Sequence, residues 1–287
     1  MSAQLTNITK LSPLVTRVLG CNPGKFTLQG TNTYLIGSGR RRILLDTGDG
    51  KPEYTQLLSN YLRDMDIEIS DILLSHWHPD HIDGVDEIMG VVCAPQTQKP
   101  VIHKFPDFRD NFDWTVQPIN DKQTFTTEDC SATLVGYHTP GHADDHVVFF
   151  LKEESALFSA DNVLGEGSTV FNDLGRYMQS LSQMKSLPGL RRLYPGHGPV
   201  IEDGVAGIQG YMDHRQEREN QIIQMLRNNQ DDQLTTSDIV DKMYKELPPN
   251  VRGAAERGIY LHLKKLVDEN KVIRDNKSFQ INLEAKL

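Results

Sequence analysis

SHWHPDHIDG, residues 75–84, places His76, His78, Asp80 and His81 within six positions of a chain that has only ten histidines. Imidazole nitrogen and carboxylate oxygen are the donors that zinc, or a similar divalent ion such as manganese, takes in its first shell. Packing these groups together away from water would be costly without a cation among them. His76 and His78, two apart on an extended segment, project to one side, and Pro79 bends the chain so that Asp80 and His81 aim at a second position. One loop therefore serves two adjacent metals without saturating either.

The missing donors come later in the chain: His142 in TPGHADDH, Asp161 in FSADN and His197 in YPGHG. Each follows an apolar run that reads as a strand (ATLVGYH, SALFSAD and LRRLYP), and VVFFL and the earlier VTRVLG, NTYLIG, RRILLDTG and ISDILLSH read as strands too. In a layered α/β fold, strand ends converge on one rim. The ligands divide into His76, His78 and His142 for one metal and Asp80, His81 and His197 for the other, with Asp161 bridging both. A water between two such ions loses a proton near neutral pH, which makes hydrolysis of a phosphodiester, a thioester or a similar bond the expected chemistry, with Asp80 in a catalytic role. Asp46, at the end of RRILLD, is expected to hold the ligand loop from behind. His146 is read either as a catalytic or substrate-placing group or as a hydrogen-bond partner of the ligand loop. His103, His138, His214 and His262 are read as ordinary core or surface residues.

Working outward, residues 1–204 read as one α/β domain, with a helix at about residues 52–64, and residues 205–287 as a helical tail. That tail runs helix, helix, then a hairpin turning at Asp275, Asn276 and Lys277, a winged-helix-like order, with Thr236 or Ser237 as N-cap of its first short helix. Cys21, Cys93 and Cys130 are odd in number and far apart, which argues against a disulfide framework and a thiolate zinc site. No apolar run approaches the roughly 20 residues of a membrane-spanning helix. The leading segment carries Lys10 and Arg17 and no acid, which suits either a mitochondrial matrix address or, as its composition favours, a plain flexible lead into the first strand, with the cytoplasm otherwise expected. The net charge of −9 lies in the first 210 residues, so charge alone does not predict nucleic-acid binding.

HWHPDH with the later His142, Asp161 and His197 and the early LLDTG resembles the metallo-β-lactamase superfamily, which implies an αββα sandwich over roughly residues 15–200. More narrowly, CNPGKFTLQGTNTYLIG, TPGHADDH, NVLGEGSTVF, YPGHGPVI and LHLKKL are similar to a branch of that superfamily that cleaves single-stranded RNA in mitochondria. His78 stands where the diiron oxidoreductase branch has Glu, and Asp161 where zinc β-lactamases use Cys. Only 35 residues separate Asp161 from His197, too few for the inserted domain of the mRNA-cleaving branch. Asp83 and Ala160 stand where glycine is usual. The resemblance implies a dizinc endoribonuclease of single-stranded RNA. A thioesterase of the same fold, acting on a small thioester or an acyl carrier protein, is the alternative, and a non-catalytic RNA-binding protein with structural metal is the alternative of another class. Lys264 and Lys265, with Arg252 and Arg257, are the candidate contacts to a phosphate backbone, although helix surfaces commonly carry such charges. The polar turn QGTNT, residues 29–33, is read as structural.

Overall fold

The computed structural model describes residues 4–230 and 232–284. Seven strands lie side by side in chain order: β1 (Ile8–Lys10), β2 (Val15–Leu19), β3 (Asn32–Ile36), β4 (Arg41–Leu45), β5 (Glu68–Leu74), β6 (Val101–Lys104) and β7 (Val116–Pro118). β1 to β4 pair antiparallel, and β4 to β7 parallel. Helix α1 (Pro52–Asp64) makes the crossover from β4 to β5, and α2 (Pro79–Ile82) and α3 (Val85–Glu87) run into a π-helical turn at Ile88–Val92. A second sheet is built from β8 (Thr124–Thr126), β9 (Thr133–His138), β10 (Val147–Leu151), β11 (Ala156–Ala160) and β12 (Arg192–Pro195), with β8 and β12 at its edges.

The apolar runs are continuous because these strands are buried on both faces. Ile43, Leu45 and Leu73 point into the space between the sheets, where they meet Leu134, Phe149, Leu151 and Phe158 of the second sheet. Their neighbours Leu44, Ile72 and Leu74 point the other way, onto Tyr54, Leu58 and Leu62 of α1. Val148, Phe150 and Leu157 likewise cover Tyr177, Leu181 and Met184 of α4 (Leu174–Lys185). The result is an αββα sandwich. Lys10 and Arg17, the basic residues of the leading segment, stand on β1 and β2, and Arg17 is buried.

Helix α5 (Gly204–Asn228) serves two cores: Ile208 packs with the sandwich, whereas Ile222 and Leu226 pack with the tail. Residue 204 thus opens a helix shared by the two units. The tail adds β13 (Leu234–Thr235), α6 (Thr236–Met243), α7 (Pro249–Asp268), β14 (Val272–Asp275) and β15 (Ser278–Ile281), the strands ordered β13-β15-β14. The hairpin turns at Asn276 with φ of 52°. The N-cap of α6 is Thr235, not Thr236 or Ser237: its hydroxyl accepts from Asp238 N, and the Asp238 carboxylate accepts from Thr235 N. That reciprocal box needs an acceptor three residues on, and from Thr236 or Ser237 the third residue is Ile239 or Val240. No helix among the described residues is long and apolar enough to cross a membrane.

Candidate metal centre

The sandwich delivers its polar groups to one rim, from the ends of β4, β5, β11 and β12 and the loop between β9 and β10. Asp46, directly after β4, has a left-handed φ of 60°, a conformation that a short polar side chain tolerates better than most. Its Oδ1 accepts from Ser75 N at 2.8 Å, and its Oδ2 accepts from Ser75 Oγ at 2.8 Å and faces His81 Nδ1 at 2.7 Å. This bond places the His81 proton on Nδ1 and leaves Nε2 to face the site.

Two donor sets result, His76, His78, His142 and Asp161 in one, Asp80, His81 and His197 in the other. In the first, His78 Nδ1 lies 2.9 Å from His76 Nε2 and 3.0 Å from His142 Nε2. His142 is oriented from behind, donating from Nδ1 to Val170 O at 2.7 Å. In the second, His81 Nε2 and His197 Nε2 lie 3.4 and 3.2 Å from Asp80 Oδ2, and 3.4 and 3.3 Å from Asp161 Oδ1. The other Asp161 oxygen, Oδ2, is 3.7 Å from His142 Nε2 in the first set. Asp161 therefore faces both sets, one oxygen to each.

The donors fit cations. Because His142 Nδ1 is the donor on its own ring, its Nε2 turns a lone pair toward the point where the His76 and His78 nitrogens also converge. His81 Nε2 and Asp161 Oδ1 are buried without a hydrogen-bond partner among the described residues. Burial pushes His76, His78 and His142 toward the neutral form that binds metal, His78 down to about 4. In the second set burial pushes the same way but is outweighed: Asp161 and Asp80 hold His197 up to about 9, and Asp80, Asp161 and Asp46 hold His81 well above its usual value. The same pairs hold the Asp80 and Asp161 carboxyls well below their usual range despite burial. The carboxylates thus demand positive charge, which protons supply until a divalent ion displaces them.

His146 is fully buried behind the ligands. Its Nε2 accepts from Asp161 N at 3.2 Å, and its Nδ1 lies 3.1 Å from Thr139 Oγ1. With both nitrogens engaged inside the protein it positions Asp161 and has no face toward a substrate. Lys265 sits between Glu219 at 2.6 Å and Glu269 at 2.7 Å, so it ties α7 to α5 and is not free for a phosphate. Lys264 is exposed and reaches Asp173 at 3.2 Å. Arg252 pairs with Asp241 and Glu256, and Arg257 donates to Asn172 Oδ1. None of these four lines the metal pocket.

The turn at residues 29–33 proves to be part of the site's frame. Thr31 Oγ1 donates to Asp80 Oδ2 at 3.0 Å, and Asn32 Nδ2 donates to Pro195 O and Gly198 O on either side of His197. Ser75 Oγ likewise sits between Asp46 and His76. These partners are separated by up to 166 positions, so no local pattern announces them. Asp83 has an ordinary φ of −67° at the end of α2, where a side chain is accommodated. Gly84 is where none fits: a Cβ would stand 2.0 Å from Thr47 O.

The floor of a pocket of about 380 Å³ is formed by His78, Asp80, His142, Asp161 and His197, with Lys25 and Phe26 at its rim. A helix-flanked double-sheet sandwich carrying two such donor sets on one rim is the build of a metal-dependent hydrolase. Residues 26–197 match the metallo-beta-lactamase superfamily, and residues 235–280 match the beta-lactamase associated winged helix domain. The chain is 43% identical to a beta-lactamase-like protein 2 homolog of Drosophila melanogaster, over 94% of this chain and 93% of that one. It is also 42% identical to an atrochrysone carboxyl ACP thioesterase of Aspergillus terreus, over 88% of this chain and 78% of the other. A beta-lactamase domain protein from Burkholderia ambifaria superposes with a TM-score of 0.80 at 15% identity, covering 96% of this chain and 93% of that one. The protein belongs to the metallo-beta-lactamase superfamily, with a winged-helix domain at its C-terminal end.

Proposed function

We propose that the protein is an endoribonuclease of single-stranded RNA that works with two zinc ions. The observation that carries this reading is the double donor set, bridged by Asp161, on the floor of a pocket whose rim presents a cation and an exposed aromatic ring. Lys25 stands 5.6 Å from the centre of the Phe26 ring, which is 73% exposed. An ammonium group beside an open ring suits a strand whose phosphates need charge and whose bases stack without sequence preference. Divalent ions held by these residues would supply the charge that makes water nucleophilic near neutral pH and polarises the bond under attack. Thr31 holds the Asp80 carboxylate toward the pocket, Asp46 fixes the proton of His81 on the far nitrogen, and Val170 O does the same for His142.

A thioesterase is the second reading, and the Aspergillus terreus relative favours it. The same metal chemistry cuts both bonds, and the contacts that select between them lie at the rim and in the tail. Zinc-loaded protein and its Asp80→Ala variant, offered single-stranded RNA, duplex RNA and acyl thioesters, separate the two. The proposal expects cleavage of the single strand and its loss in the variant. Thioester turnover with intact RNA would replace it with the second reading.

A further inference from the structure

The segment that carries Ser168, Thr169 and Val170 into the metal pocket has a second cavity behind it, of about 200 Å³. Phe171 forms one wall, His214, Arg215 and Arg218 of α5 another, and α7 closes it with Ala255 and His262 among others. Its lining includes two arginines, two histidines and no acid. Arg215 is only 8% exposed, and arginine is rarely buried so deeply without a counter-charge. Its bonds go to Thr169 O at 2.9 Å, His214 Nδ1 at 3.3 Å and Ser168 Oγ at 3.5 Å, and it lies 4.9 Å from the centre of the Phe171 ring, while its Nε has no hydrogen-bond partner among the described residues. Arg218 lies over the Tyr244 ring at 5.2 Å. Neither guanidinium meets a carboxylate among the described residues, whereas the buried Lys104 and the half-buried Lys265 meet two each. His262, 3% exposed, also leaves Nδ1 without a partner. A cavity lined by two arginines and no carboxylate suits an anion.

We infer that this cavity binds a phosphate group of the substrate strand, one removed from the phosphate under attack at the metals; the RNA assignment rests on the endoribonuclease reading. Arginine is the side chain best suited to a phosphate, because its planar fork can offer two parallel donors. Adjacent residues, Val170 and Phe171, face the metal pocket and this cavity respectively, so a strand crossing that segment meets both. The wall is also mechanically joined to the ligands. Arg215 holds the carbonyl of Thr169, and the next carbonyl, that of Val170, holds His142. The cavity lies where the sandwich and the winged-helix domain meet, which gives the tail a part in holding substrate even though Lys264 and Lys265 are engaged elsewhere.

Arg218→Ala tests this, since Arg218 makes no hydrogen bond among the described residues and rests on the Tyr244 ring, and Arg218→Lys provides the conservative control. With zinc-loaded protein and single-stranded RNA, we expect KM to rise about tenfold in Arg218→Ala with kcat little changed. The salt slope of KM should fall by about 0.7, as for one lost contact to a single strand, and Arg218→Lys should recover most of the loss. Calorimetric titration with inorganic phosphate should find one site fewer per chain in Arg218→Ala. RNA cleavage with the same KM and salt slope in both proteins would overturn the assignment to the strand. If the parent protein cleaves no RNA, the endoribonuclease reading fails and the RNA assignment with it. The phosphate count then decides the cavity alone, and an unchanged count overturns it.

Discussion

Asp46 spends both carboxylate oxygens on the ligand loop, so its removal should be felt at the metals without touching them. Asp46→Ala is expected to weaken zinc binding about 10- to 100-fold, measured by competition with a chromophoric chelator. An unchanged affinity would show that Ser75 and His81 hold their positions without it. Ala160 tells the opposite story. Its φ of 41° precedes the bridging Asp161 at an irregularity in the β11–β12 pairing, and a Cβ in that conformation costs about 1–2 kcal/mol. Ala160→Gly should therefore stabilise the protein by up to about 1 kcal/mol, the strain relieved less the added freedom of the unfolded chain. A melting temperature that falls would contradict the strain. The seven residues of the two donor sets stand out in the sequence because their chemistry is conspicuous even when scattered. Thr31, Asn32 and Ser75 were not, because ordinary polar residues acquire a role only from partners brought near by the fold. His146 was legible as part of the site but not in its part there, which depends on the amide of Asp161 closing over its Nε2.

At the scale of elements, the strands with both faces buried and helix α1 could be read from their apolar runs and spacing, down to the Pro52 start of α1. The short edge strands β1, β7 and β8 could not, since three residues with mixed burial carry too little pattern. Helix α5 is the element that joins the two units, and its attachment is partly ionic. Glu219 is 3% exposed in its side chain and lies 2.6 Å from Lys265 and 3.3 Å from Lys271. Removing one partner strands a buried charge, so Lys265→Met should cost about 3 kcal/mol or more in denaturant unfolding. A change below about 1 kcal/mol would mean that Lys271 alone suffices. Across the same junction, burial, reinforced by Arg215 and Arg218, holds His262 down to about 3. Its folded value lies below its unfolded one, so its neutral form is accommodated above about pH 6.5 and stability is lost as pH falls toward 3. By pH 5 the loss is about 2 kcal/mol, and in His262→Gln, without phosphate in the buffer, the slope of stability between pH 6.5 and 5 should flatten by about one proton. An unaltered slope would place the titration elsewhere.

For the molecule as a whole, the sandwich builds the donor sets, and the tail is joined to it through α5, which packs with both cores. Because those donors hold their positions against burial and mutual repulsion, a bound ion should stabilise the entire fold. At a free zinc level 1,000 times its dissociation constant the gain is about 4 kcal/mol per site. Metal dependence and substrate are tested together, and most directly, by the initial rate of single-stranded RNA cleavage as zinc is titrated into metal-free protein. The rate should rise to a plateau at two equivalents per chain and stay near zero in Asp80→Ala. Full activity at zero or one equivalent, or a plateau at two seen for an acyl thioester while the RNA stays intact, would contradict the account.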